Sequence, residues 1–96
     1  MRFDWDDANR KHIAEHDVTT AEAEHALTHD PLDIEVEIRE GEERLVQVGA
    51  TASGRILTII STLRGEHVRV STAFNASRRR RREFEQSRLE RYGTQN

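Results

Sequence analysis

The chain of 96 residues contains no cysteine. Disulfide bridges and thiolate metal sites are thereby excluded as supports, so the core must rest on apolar packing and hydrogen bonds. No stretch approaches the ~20 apolar residues of a membrane span, and the start of the chain has no apolar segment of the signal-peptide kind. A membrane role is therefore not expected, and the expected compartment is the cytoplasm. Internal repeats, linkers and low-complexity tracts are also missing, apart from one run of arginines. A single domain over residues 1–96 is expected, because a chain this short shares one core. Aromatic residues are few, yet a composition of 34% hydrophobic and 34% charged residues of both signs suits a folded, marginally stable domain better than a disordered chain. An active site in so small a fold must lie on its outside.

The net charge of −3 conceals a division. Residues 1–50 hold five Lys/Arg against fourteen Asp/Glu, whereas residues 51–96 hold ten Arg against four Glu. Such a molecule can offer a basic surface to nucleic acid and an acidic one to a basic protein; alternatively, the halves fold together and partly neutralise each other.

Residues 2–5 alternate polar and apolar and predict a short strand. Asp6 or Asp7 can cap a helix running to about His16. Asp17-Val18 breaks it, and Thr19-x-x-Glu22 is a capping box for a second helix to about Thr28, closed by Asp30-Pro31. From Leu32 the period becomes two, predicting strands over 32–38, 43–50, 55–63 and 67–74 separated by turns at 40–42, 51–54 and 64–66. Ser77 can cap a last helix that begins with five consecutive arginines, Arg78 to Arg82. Five positions at 100° each surround the helix axis, and cations there oppose the positive end of the helix dipole. That pattern points to phosphate contact, with a solubilising run bridged to Glu83 and Glu85 as the alternative. The tail after Tyr92 is expected to fray.

His12-Ile13-Ala14-Glu15-His16 reads as H-x-x-E-H, the zinc pattern of the inverted zincin peptidases, and His25 and His29 repeat the i, i+4 spacing. Catalytic zinc needs a third protein ligand, however, and the spacing follows from helical periodicity in a histidine-rich segment. No metal or other cofactor is expected.

Seven short elements follow in order over about residues 3–85: Phe3-Asp4-Trp5-Asp6, His16-Asp17-Val18, Asp30-Pro31, Glu42-Glu43-Arg44, Gly54-Arg55-Ile56-Leu57, Thr62-Leu63-Arg64-Gly65 and Val68-Arg69-Val70-Ser71-Thr72-Ala73. In that order and at those separations the chain resembles the BrnT toxins of type II toxin–antitoxin systems. The resemblance implies an α+β, RelE-like fold, with a short N-terminal strand and two helices packed on a four-stranded antiparallel meander, and a C-terminal helix. It also implies a metal-independent ribonuclease toxin. The implied partners are an RNA substrate and a cognate antitoxin, a ribbon-helix-helix protein of the BrnA type through which operator DNA is reached only indirectly. His16 matches the histidine of the family's K/R-H-G-V motif. Glu15 and Asp17 stand where that motif has a cation and glycine, and Thr72-Ala73-Phe74 replaces the usual S-A-R.

RNA cleavage by 2′-hydroxyl attack needs a base, cations for the phosphorane-like transition state and an acid for the leaving oxygen. His16 is the candidate for proton transfer, with Glu83 behind it; a helix-terminal histidine satisfying free carbonyls is the alternative. Arg64 and Arg69 are candidates for the catalytic cations, and Arg55 with Arg78, Arg79, Arg80, Arg81 and Arg82 for phosphate binding, because the guanidinium fork pairs bidentately with phosphate oxygens. A catalytically weak or inactive module that binds an antitoxin and regulates its operon is the competing expectation.

Overall fold

The computed structural model describes residues 1–93. In chain order it contains β1 (Arg2–Phe3), α1 (Asp7–Ala14), α2 (Thr20–Thr28), β2 (Leu32–Arg39), β3 (Glu42–Ala50), β4 (Ile56–Arg64), β5 (His67–Asn75) and α3 (Arg78–Tyr92). The expected fraying after Tyr92 concerns a tail of which residues 94–96 lie outside the described residues.

Both early helices start where their capping chemistry dictates. Asp6 accepts the Asn9 backbone N–H at 2.9 Å while the Asn9 side chain accepts the Asp6 N–H at 2.7 Å, and Thr19 and Glu22 form the same reciprocal pair. α1 ends earlier than the expected His16. The Val18 N–H returns to the Ile13 carbonyl at 3.1 Å and the Asp17 N–H to the Ala14 carbonyl at 3.0 Å. This is a Schellman closure, and its apolar contact is supplied by Ile13 and Val18, both buried. Asp17 takes the left-handed position, with φ +57°, that glycine usually fills. Asp17→Gly is accordingly expected to raise stability by up to about 1 kcal/mol, the relief of left-handed strain exceeding the added unfolded-state entropy. Urea unfolding measures this, and an unchanged or lower midpoint would show that the aspartate backbone is not strained.

The sheet has five strands in the order β1-β5-β4-β3-β2 and is mixed, which corrects the expected four-stranded antiparallel one. β1 joins the edge in parallel, Arg2 donating to the Glu66 carbonyl at 2.9 Å and Asp4 to the Val68 carbonyl at 2.8 Å. Alternation could predict the strand but not its partner, because two residues carry no register information. The β2–β5 pairings are antiparallel, with a bulge between Ile60 and Ser61 opposite β5. At Glu40-Gly41 both φ values are positive, as a two-residue I′ hairpin requires.

Paired residues share a face, so Gly49, Leu57, Ile59, Val68, Val70 and Ala73 line one side and meet Ile13, Val18, Ala23, Ala26 and Leu27 from α1 and α2. Gly49 is what lets α2 sit this close: a Cβ there would lie 2.3 Å from the Ala26 carbonyl oxygen. Val48 faces the other side and is fully buried, and Phe84 of α3, the helix in contact with β3, is buried too; neither belongs to the first core. The far end of α3 is tied down by Arg88, which donates to the His29 carbonyl at 3.0 Å, and by Arg91, paired with Asp30 at 2.6 Å. β4 and β5 thus keep part of this second face free of helix, and the candidate residues stand on it or at its ends.

Candidate functional site

The expected cations separate into three groups. At the hairpin end of β4 and β5, Thr62, Arg64, His67, Arg69 and Ser71 line an open groove of about 410 Å³ together with Asp4 and Glu42. Register explains the grouping, since Arg64 pairs with His67 and Thr62 with Arg69 across the two strands. Both arginines are already engaged, Arg64 with Glu42 and Arg69 with Asp6 at 2.9 Å. The Asp6 carboxyl is held below its ordinary range, first by the Asn9 N–H of the helix cap and then by Arg69.

At the opposite end of β5, Arg55 acts as a clamp. Its guanidinium donates to the Asn75 side chain at 2.8 Å, to the Asp17 carbonyl at 2.5 Å and to the His16 carbonyl at 3.0 Å. It also lies 3.4 Å from Glu22, whose carboxyl is lowered first by the Thr19 N–H and further by this arginine. Arg55 therefore ties the α1–α2 turn to the start of β4 and the end of β5, with few donors left for a phosphate. Its consequence for chemistry is positional: it fixes the backbone of His16.

The His16 imidazole is exposed and packs against Phe74, ring centroids 5.9 Å apart. Among the described residues nothing hydrogen-bonds to its ring nitrogens. The carbonyl-capping alternative is not what the structure has: Arg55, not the imidazole, satisfies the carbonyls of this turn. A histidine with both nitrogens open to solvent can take and return a proton.

The third group is the arginine run. Ser77 accepts the Arg80 N–H at 3.2 Å and starts α3. Arg80 and Arg79 both bridge to Glu83, at 2.7 and 3.4 Å. The Glu83 carboxyl is lowered, first by its hydrogen bond from Arg80, and it accepts from two guanidinium groups. Arg78, Arg81 and Arg82 have no carboxylate partner among the described residues. These three are spaced i, i+3 and i+4 and so share one helix face. Arg81 borders a groove of about 380 Å³ with Gly54, Arg55, Ile56, Asn75 and Ala76, next to the Phe74 that contacts His16.

His16 and Arg69 stand towards different ends of β5. Arg69 and Phe74 are five residues apart on β5, which is about 16 Å of strand. Asp6, which holds Arg69, precedes His16 by ten residues along α1 and its closing turn, which is about 15 Å at the helical rise. The structure brings His16, Arg55 and Arg81 to one end of β5 and Arg64 and Arg69 to the other.

Sequence reading did not single out His67, Ser71 or Asp4. The first two had a usable signal, because His67, Arg69 and Ser71 alternate on one strand face; Asp4 enters only through the β1–β5 pairing. As for the histidine pairs, His25 and His29 stack with ring centroids 3.8 Å apart, each Nδ1 facing a main-chain carbonyl. Among the described residues no group of three or more His, Cys, Asp or Glu is placed to hold a metal ion, and no helix is long and apolar enough to cross a membrane.

A family model described as the ribonuclease toxin, BrnT, of type II toxin–antitoxin systems matches residues 5–80. No curated protein matches the chain.

Proposed function

The chain belongs to the BrnT family of ribonuclease toxins of type II toxin–antitoxin systems, and we propose that it cuts RNA without a metal at the end of β5 that carries His16 and Arg81. The observation that carries this reading is an imidazole with unengaged nitrogens at the same end of β5 as the groove bordered by Arg81, one of three arginines without a carboxylate partner among the described residues. His16 would take the proton from the attacking 2′-hydroxyl or return one to the leaving 5′-oxygen. Arg81, with Arg78 and Arg82 on the same face, would hold the phosphate as negative charge grows on it, aided by the free N–H groups at the start of α3. Arg55 positions His16, and Glu83 positions Arg79 and Arg80 for more distant phosphates. Arginines supply the positive charge that the reaction needs, so no metal enters the proposal.

The fold is read as RelE-like, the compartment as cytoplasm, and the antitoxin as a basic-site-covering ribbon-helix-helix protein of the BrnA type that carries any contact with operator DNA. Family membership implies an antitoxin; its type and its mode of neutralisation are part of this reading.

A second reading has an observation of its own. Phe74 lies against His16 where the family pattern has arginine, and Arg55 is spent on main-chain carbonyls, which suits a module that binds its antitoxin and cleaves little. Purified full-length protein incubated with RNA in chelator separates the two. Fragments ending in a 2′,3′-cyclic phosphate, suppressed by the co-expressed antitoxin, are the expected result. Intact RNA at confirmed folding would leave only the binding module.

A further inference from the structure

The groove at the hairpin end of β4 and β5 has the wrong charge for a second phosphate. Arg64 and Arg69 are matched by Glu42 and Asp6, and Asp4, which lines the groove, has no cation partner among the described residues. Two carboxylates, Asp4 and Glu42, line the groove beside the two guanidinium groups, and Asp6 pairs with Arg69 from outside it, so the lining has no excess of arginine charge with which to hold a phosphate. A neutral ligand rich in both donors and acceptors suits such a lining.

We infer that this groove takes a guanine base of the RNA, a specificity site separate from the cleavage site; the inference rests on the ribonuclease reading for its substrate. Guanine presents O6 and N7 as a pair of acceptors, which an arginine fork meets bidentately. Its Watson–Crick edge presents N1–H and the 2-amino group as donors, which a carboxylate accepts. Arg64 supplies the fork and Asp4 the unpaired carboxylate, while Glu42 holds Arg64 in place. His67 is exposed and has no ring partner among the described residues, so its imidazole offers the flat surface on which an unstacked base rests. Adenine offers the reverse pattern on its Watson–Crick edge and would bring an acceptor against Asp4. His67, Arg69 and Phe74 stand on one face of β5, so a strand lying along β5 places a base on His67 about 20 Å from the Phe74 that His16 contacts, at a fixed offset from the cut.

The test uses the full chain and non-cleavable 2′-O-methyl oligonucleotides that differ only in guanosine or adenosine at one position, titrated by fluorescence anisotropy. A preference for guanosine of about tenfold is expected, the value of one bidentate pair. Asp4→Ala and Arg64→Ala should each bring the ratio close to one, with unchanged circular dichroism. If Arg64→Ala does not fold, Asp4→Asn, which exchanges an acceptor for a donor, should still lower the ratio. Equal affinities in the wild type, binding to neither oligonucleotide, or a preference surviving these substitutions overturns the base site even if the protein cuts RNA. A guanosine preference in a protein that cuts nothing supports the base site and removes the nuclease reading.

Discussion

Replacing His16 by alanine should lower the rate of RNA cleavage by about two to four orders of magnitude, the range that a positioned proton-transfer group contributes. The substitution isolates chemistry from folding unusually well. The imidazole is exposed, and among the described residues it makes one ring contact, with Phe74, and no hydrogen bond or ion pair. What Arg55 holds at this position is the carbonyl of His16, which alanine retains. The unfolding midpoint should therefore stay near that of the wild type while the rate falls. The loss should appear in kcat rather than KM, because the arginines proposed to hold the phosphate remain. His16→Gln keeps hydrogen-bonding capacity but cannot shuttle a proton, and should be nearly as impaired as the alanine variant. A His16→Ala protein cutting RNA at the wild-type rate would remove the cleavage site from this end of β5.

Replacing Arg81 should behave differently, since it raises KM as well as lowering kcat, and this contrast follows from what could and could not be read along the chain. Local chemistry was legible. The Thr19–Glu22 capping box, an aspartate cap at Asp6 or Asp7, the Asp30-Pro31 stop and the alternation from Leu32 each act within a few residues, and each produces an element of the expected kind, although the return of Asn9 to Asp6 was not foreseen. Contacts made at a distance were not legible. Arg55 and Glu22 are 33 residues apart, and nothing in either neighbourhood announces that the guanidinium will be spent on the α1–α2 turn. The arginine run shows the same limit. Its composition suggested a ring of cations, but Glu83 takes up Arg79 and Arg80, leaving Arg78, Arg81 and Arg82 as one stripe. Nor does the chain announce that Arg55 stands at the opposite end of the sheet from Arg64 and Arg69, set apart by strands nine residues long. The parallel pairing of β1 was equally hidden, and it is what carries Asp4 to the hairpin groove.

Phe74→Arg should raise the cleavage rate, by about tenfold or more, because a single preorganised donor at a developing oxyanion is worth 10²–10³ when it is removed from an optimised site. The argument begins with position. Phe74 pairs with Thr58 and adjoins His16. The pattern that the chain resembles has arginine here, and in the proposed site a guanidinium at this position would face the phosphate where this chain has an apolar ring. The ring is only half-buried, and a long arginine can lay its methylenes over the same surface while extending its head into solvent, so the fold should survive with a modest loss of stability. Gain of activity is a sharper test than loss, since damage to the fold cannot imitate it. Phe74→Lys supplies charge without the fork and should gain less, and Phe74→Leu, which keeps the position apolar, should gain nothing. In the double variant with His16→Ala the gain should shrink, because the two groups act on one phosphodiester. If folded Phe74→Arg cleaves no faster than the wild type, position 74 does not face the scissile phosphate, and the site must be sought elsewhere along the free arginine stripe of α3.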